Sequence, residues 1–587
     1  MATANNAANL HNDKFDNVNA IDTIERISAE DPGVLKAEMN DGDDAASVAE
    51  SATGRHLPAG YYWSPNFIGT WASMAIAQCC IYIYGLGGAA LLYTVINPDI
   101  GPSFILFGRL SDIFGRRYIF IAGDVLAVIG CIISATSTTV AQLCVGSVMM
   151  GFGEAVMNSF VVALAELVKN KHRPYIISSI YLFAAPFTTF SPLIATTMIS
   201  HGMTWRWVFW VSTIGCGAAL VLLILCYHPP HYDQLHSSGR HTISKQLCEL
   251  DYVGIFLFVA GLTLLLLPIS WGGTLYPWKS AATIATLVIG VLLLVALGLW
   301  ETYKKQPIPL MPTSFFRNVG FMSIVLVASS GACVYYPATL LWPQQVAKQY
   351  GITGQHAGWL ACTVGGATSA GTSGGGLAIW LVGGKSRGLL IFLSLVMVAL
   401  ISALAAQGLD GLLLGTVLTS VGPVFSGLIE SISLGLAPLF CPPQDLGLAA
   451  GMLGTIRSAV ASIATAIYIS VYQTRLSTTI PFYVTPAAEN AGFPASNITA
   501  LISAASAGTY ATLPGITPEV IAAVKNALPN AYVASFRTVY LTSIAFGGLS
   551  IIGAVMTSSA KTLLNDKVSR KLQRKTPHLT RTAEPEV

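Results

Sequence analysis

The chain has 587 residues, 53% of them hydrophobic and only 10% charged, against about 25% charged in soluble globular proteins. That balance excludes a soluble enzyme and a nucleic-acid-binding domain. The apolar residues fall in blocks of about 20, the length of a membrane-spanning helix, and lack the alternating ten-residue pattern of a membrane barrel. The net charge of +3 is unevenly distributed: residues 1–60 carry 11 acidic and 4 basic groups, a net of −7, which leaves +10 for the remainder.

In chain order, residues 1–62 form an acidic head poor in aromatics, expected to be disordered and cytoplasmic. No cleavable signal peptide is visible, since the first apolar block starts near Phe67. Thirteen apolar blocks follow, at about 67–95, 118–137, 141–165, 175–199, 205–227, 252–270, 281–300, 319–342, 357–382, 389–407, 411–438, 447–472 and 537–559. They divide into a first bundle (63–227), a central loop with two linker helices (228–318), a second bundle (319–559) and a basic cytoplasmic tail (560–587). The loops rich in Lys and Arg, at 109–117, 169–173, 228–250, 301–318 and 385–387, alternate with poor ones, which places the rich loops in the cytoplasm. By the same count the polar segment 473–536 is an external loop, where Asn497-Ile498-Thr499 is a glycosylation acceptor sequence. The ten cysteines lie in or beside apolar blocks. They imply buried thiols, with neither a disulfide framework nor a metal site.

Parity fails at "NPDIGPSFILFGRLSDIFGRRYIF", residues 97–120. An external-type loop and a basic loop are separated by only the four apolar residues Phe104–Phe107, far short of a span. If 109–117 is cytoplasmic, the single block at 67–95 would put the head outside, so one span is expected to be missing. Splitting that block at Gly85-Leu86-Gly87-Gly88 is the alternative, and it leaves two pieces too short to cross.

The run Gly108-Arg109-Leu110-Ser111-Asp112-Ile113-Phe114-Gly115-Arg116-Arg117 resembles the loop signature of the major facilitator superfamily, which joins its second and third helices. "WRWVFWVS" (205–212) and "ELDYVGIFLF" (249–258) look like the sixth and seventh helices of the 14-helix drug:proton antiporters. "AELVKNKHRPY" (165–175), "SWGGTLYPWKS" (270–280) and the segment 514–546 resemble the fungal trichothecene efflux pump family, close to fungal siderophore transporters. The resemblance runs from about Asn66 to Ala560 and implies an all-α bundle of 14 spans, 13 of which are visible. From Val319 to Gly384 is 65 residues, but from Phe67 to the equivalent Gly108 is 41, so the shortfall of 24 is one span. A lost second helix is the expectation.

In this family the signature implies a cytoplasmic gate, in which Asp112 bonds to Arg116 and Arg117 in one alternating-access state, with Gly108, Arg109 and Gly115 completing it; positive-inside anchoring explains the arginines equally well. Ionisable residues inside spans are expensive to bury, which makes Asp124, Glu154, Glu430 and Arg457 candidates for function. Glu154, in mid-span after Gly151-Phe152-Gly153, is the first candidate for reversible protonation, with a structural hydrogen bond as the alternative. Glu430 and Arg457 suit an antiparallel ion pair, and Asp124, seven residues beyond Arg117, is expected to reach the cytoplasmic boundary and join the gate. Two departures stand out. Ser147 replaces the arginine of the antiporters' fourth-helix pattern, and Ser191-Pro192 alters their fifth-helix signature, leaving Pro192 as a helix bend with weakened glycine packing. Tyr335, Tyr336, Trp342 and Trp359 suit either an amphipathic cavity or an interfacial belt. The tract Gly371–Gly376 lacks nucleotide-loop spacing.

The expectation is a proton-coupled secondary transporter, not an enzyme and with no cofactor or metal, that exports a small amphipathic toxin or metabolite across the plasma membrane. The vacuolar membrane is the alternative location. Its partners are that substrate, protons and membrane lipid, with no nucleic acid. A siderophore importer, a non-transporting receptor and an inactive product lacking one helix are the alternatives.

Overall fold

The computed structural model describes residues 61–83, 101–229, 251–271, 277–304, 310–441, 446–494, 497–507 and 516–559. The described residues contain helices and no strands. In order they are α1 (Pro65–Tyr82), α2 (Gly101–Phe114), α3 (Arg116–Ala135), α4 (Val140–Glu166), α5 (Arg173–Ser200), α6 (Arg206–Cys226), α7 (Tyr252–Trp271) and α8 (Ala281–Tyr303). The second half continues with the short α9 (Thr313–Arg317), then α10 (Val319–Lys348), α11 (Gly354–Leu381), α12 (Ser386–Ala403), α13 (Leu412–Leu436), α14 (Leu446–Asn490), α15 (Ile498–Ala507) and α16 (Pro518–Met556). Eleven of these helices are long and apolar enough to cross a membrane. With α1 and α11 they answer the thirteen apolar blocks.

Helix starts follow local chemistry. The Ser64 hydroxyl accepts from Phe67 N at 3.3 Å with Pro65 in the first turn, and Thr139, Ser280, Asn318 and Thr517 cap α4, α8, α10 and α16 in the same way. Between α3 and α4 the small residues interlock. A Cβ on Gly123 would lie 2.5 Å from Val156, and one on Gly130 2.7 Å from the Met150 nitrogen, so the two helices run antiparallel at close approach.

Two expectations are corrected here. The first concerns the second helix. The stretch 101–114 is one helix of 14 residues, about 21 Å long, so the motif and the four apolar residues before it lie on one helix of about two thirds of a span. The residues from Ser103 to Gly108 therefore do not separate two sides of a membrane. At its far end the Ile105 N–H donates to Thr455 Oγ1, on α14, at 3.1 Å. The proposed split at residues 85–88, like the 97–100 stretch, lies outside the described residues.

Parity is restored by packing. Tyr62 lies 6.5 Å from His172, which puts the start of α1 beside the 167–173 turn. The antiparallel α3–α4 pair puts Arg116 at that same face. The start of α1 and the Gly115 turn are therefore on one side, the face that carries Arg116, Arg117, Lys169, Lys171 and Arg173.

The second correction concerns 473–536. Most of it is helix: α14 has 45 residues and α16 has 39, about 67 and 58 Å, well beyond a 30 Å hydrocarbon core. Their far ends and α15 enclose a core of their own, with Ile480, Val484, Leu501, Val520 and Val524 buried. Tyr472 stacks on Phe536 at 4.9 Å, and Thr479 Oγ1 meets Ser535 Oγ at 2.9 Å. Apolar residues at helical spacing, read as loop on average polarity, give this segment its fold.

Candidate functional site: a charged centre between two helix bundles

The helices α1 to α6 form one bundle and α10 to α16 the other, with separate buried cores. They meet along two seams. In one, α2 runs antiparallel to α14, and Gly108 lies so close that a Cβ there would be 2.5 Å from the Gly447 carbonyl oxygen. In the other, α5 lies along α11, where a Cβ on Gly365 would be 2.7 Å from Thr188 O and one on Gly376 2.8 Å from Pro174 O. The glycines lacking in α5 are supplied by its partner, so the packing expected to be weakened is tight. Part of the Gly371–Gly376 tract serves this contact, and Gly371 and Gly375 also pack on α13. Pro192 lies inside the continuous α5.

Between the seams sits the charged centre. Arg457 Nη2 of α14 lies 2.8 Å from Glu430 Oε1 of α13, each side chain partly exposed to the space between the bundles. Four tyrosines lie within reach of this pair's charges: Tyr82 of α1, Tyr181 of α5, and Tyr335 and Tyr336 of α10. Tyr335 and Tyr336 stack at 5.1 Å. Glu154, half-buried on α4, faces the same space and acts electrostatically on Tyr82 and Tyr336. It is hydrogen-bonded to Asn158, which accepts from Gln78 Nε2 at 3.3 Å. The site thus holds one ion pair, one further carboxyl and aromatic surface that carries hydroxyl groups.

The remaining predicted residues separate. Asp124 is fully buried, and neither carboxylate oxygen has a hydrogen-bond partner. It faces Cys216 of α6 rather than the boundary, which removes it from the gate. Gly115 has φ 87°, a backbone only glycine adopts freely, and it makes the α2–α3 turn possible. Arg117 Nη2 donates to Ile224 O at 3.0 Å, tying α3 to the end of α6, and Arg116 is buried. The side chains of Arg109 and Asp112 lie outside the described residues. Trp342 is a core residue whose Nε1 donates to Leu360 O at 2.9 Å, whereas Trp359 is surface, 6.1 Å from Phe190. Asn497 is exposed at the start of α15. The nine described cysteines are free, and no cluster among the described residues fits a metal. Sequence reasoning did not single out Gln78, Tyr82, Asn158 or Tyr181. The signal available was a polar side chain inside an apolar block, as at Gln78 and Asn158.

Comparison with known proteins decides the lineage: the sequence profile described as "Fungal trichothecene efflux pump (TRI12)" matches residues 27–580. The chain belongs to the fungal trichothecene efflux pump family. It is 28% identical to the trichothecene efflux pump of Fusarium sporotrichioides, over 93% of this chain and 94% of that one. It is 29% identical to an MFS-type transporter of Penicillium rubens, over 85% and 92% respectively. Among solved structures, a human organic anion transporter aligns with 86% of this chain and all of its own, at 12% identity and a TM-score of 0.49. As a member of this family the protein is a multi-pass membrane transporter of small molecules of the major facilitator type, related to fungal efflux pumps for secondary metabolites, and it is not an enzyme.

Proposed function

We propose that the protein exports a small amphipathic toxin or secondary metabolite across the plasma membrane in exchange for protons. The observation that carries this reading is the Glu430–Arg457 pair, 2.8 Å apart, with Glu154 and four tyrosines around it in the space between the two bundles. Charges at such a depth persist only where they are paired or used. Glu154 is the proton carrier, and the tyrosines hold the substrate with their ring faces and hydroxyls. The face bearing Arg116 and Arg117 is cytoplasmic. There the loop signature forms the gate against α14. Asn497 on the opposite side is glycosylated.

The test is accumulation of a tritium-labelled trichothecene in cells of a pump-deficient fungal strain. Cells expressing the protein should retain less label, and a protonophore should abolish the difference. Equal retention with and without the protein would refute export of this class, and greater retention would indicate uptake. Glu154→Gln should preserve expression and remove the protonophore-sensitive part.

A further inference from the structure

The contact between Glu154 and the ion pair is indirect, and the residues along it are amides, Gln78 buried and Asn158 half-buried. Gln78 of α1 is 1% exposed. Its Nε2 donates to Asn158 Oδ1, while its Oε1 is buried with no hydrogen-bond partner. Asn158 lies one turn beyond Glu154 on α4 and bonds to that carboxyl. Tyr82 lies one turn beyond Gln78, with its hydroxyl against the Gln78 amide and within the fields of Glu430, Arg457 and Glu154.

An ionised carboxylate can only accept hydrogen bonds. Asn158 must then present its NH2 to Glu154 and its carbonyl oxygen to Gln78. Gln78 must in turn present its own NH2 to Asn158, and the same NH2 edge faces the Tyr82 hydroxyl, so its Oε1 points away from both. The orphaned Oε1 is what this register requires.

We infer that Asn158 and Gln78 are positioning residues forming a two-amide relay, which converts the protonation state of Glu154 into the hydrogen-bonding state of Tyr82 beside the Glu430–Arg457 pair. This rests on the assignment of Glu154 as the proton carrier. When a proton from water forms an O–H bond on Glu154, the carboxyl becomes a donor and both amides turn over. Asn158 Oδ1 then accepts from Glu154, and Gln78 Oε1 accepts from Asn158 Nδ2 and from the Tyr82 O–H, which before the turnover faced the Gln78 N–H as an acceptor. No proton moves along the amides, and no other covalent bond changes. In the turned register Oε1 is satisfied while Nε2 takes its former place, so what changes at the far end is Tyr82, which passes from acceptor to donor. A proton taken up in the first bundle thereby alters a hydroxyl at the charges of the second.

The other groups around Glu154 leave this route open. Tyr336 reaches it from α10, and the charges of α13 and α14 act on the same tyrosines. Tyr181 of α5 lies in the field of Tyr82. The described side chain that α2 sets against this part of α4 is Phe107, on Phe152. From α3, Gly123 and Ala127 pack on Val156 and Gly153, while Asp124 faces Cys216.

Infrared difference spectra of the full-length protein in lipid nanodiscs, recorded through a pH titration, test the relay without a substrate. Wild type should show a carboxyl band, amide side-chain bands and a tyrosine band changing together at one midpoint. Tyr82→Phe should remove the tyrosine component alone, Gln78→Leu the tyrosine and amide components with the carboxyl band kept, and Glu154→Gln all three. A carboxyl band that survives Glu154→Gln overturns the assignment of the proton carrier. A carboxyl band lost in Glu154→Gln, with no amide or tyrosine component in wild type or with components unchanged by the other two substitutions, overturns the relay alone. If Gln78→Leu does not fold, Tyr82→Phe, which deletes one oxygen, decides by whether the tyrosine component disappears.

Discussion

The two seams between the bundles occupy equivalent places in the two halves yet are built differently. The α5–α11 seam joins two helices of 28 residues each and is made of small residues: Gly358 against Thr196, Gly365 against Thr188 and Gly376 against Pro174. The α2–α14 seam has only a 14-residue helix on one side. It uses Gly108, Gly447 and Gly451 near the basic face, then ends at the Ile105–Thr455 hydrogen bond, two residues before Arg457. One seam is long, close and uncharged, while the other is short and leads into the charged centre. Helix pairs with small side chains gain dispersion along their whole length, which suits a persistent contact. A short contact is held by fewer atoms and opens at lower cost, which suits the side on which a gate must part.

The largest effect expected from disturbing this difference is at the charged end. Arg457→Gln leaves Glu430 without its partner, a change worth up to about 3–5 kcal/mol for a fully buried pair and less here because both side chains face open space. The variant should express at reduced levels with no transport. Adding Glu430→Gln should recover expression, read by fluorescence-detected size exclusion, without recovering transport. Expression of the double variant no better than the single would show that the pair is not an energetic unit.

Next come the glycines that set each seam. Gly108→Val and Gly365→Val both push a side chain against backbone oxygen, at about 1–3 kcal/mol each. Gly365→Val should lower the melting temperature. Gly108→Val should chiefly reduce transport, if the short seam is the one that opens and closes. The reverse pattern would assign movement to the other seam.

Thr455→Val removes the acceptor for Ile105 N–H and should cost about 1 kcal/mol, seen as a small drop in melting temperature. Gly358→Ala should be the mildest. Its Cβ meets the Thr196 hydroxyl, a side-chain atom 2.8 Å away that can rotate, and a shift of no more than a few tenths of a kcal/mol is expected in thermal unfolding.

How much was legible in the sequence varies with the range of the interaction. The motif turn at Gly115 was readable because a glycine before two arginines at a helix start is a local pattern. The Glu430–Arg457 pairing was readable from their depths in consecutive blocks, which short connections make antiparallel. The extent of the second helix was misjudged because only the apolar run Phe104–Phe107 was taken as helical, whereas helix α2 continues through Arg109 and Asp112 to Phe114, although its 14 described residues still fall short of a full span. The segment 473–536 was misjudged in the opposite sense. Its mean polarity reads as loop, but the apolar residues Ile480, Val484, Val520 and Val524 recur at four-residue spacing and give its helices a common core.

By itself the sequence determined the membrane class, the number and order of the long apolar segments, the basic face and the family. These depend on composition and on patterns within some 20 residues, because crossing hydrocarbon is a demand each helix meets alone. Only the tertiary structure decided that Asp124 turns to Cys216, that Gln78 meets Asn158 and that four tyrosines from three helices surround one ion pair. Hydropathy fixes where a helix lies, but the direction of each polar side chain is set by the neighbours available to satisfy it, and those neighbours lie up to hundreds of residues away.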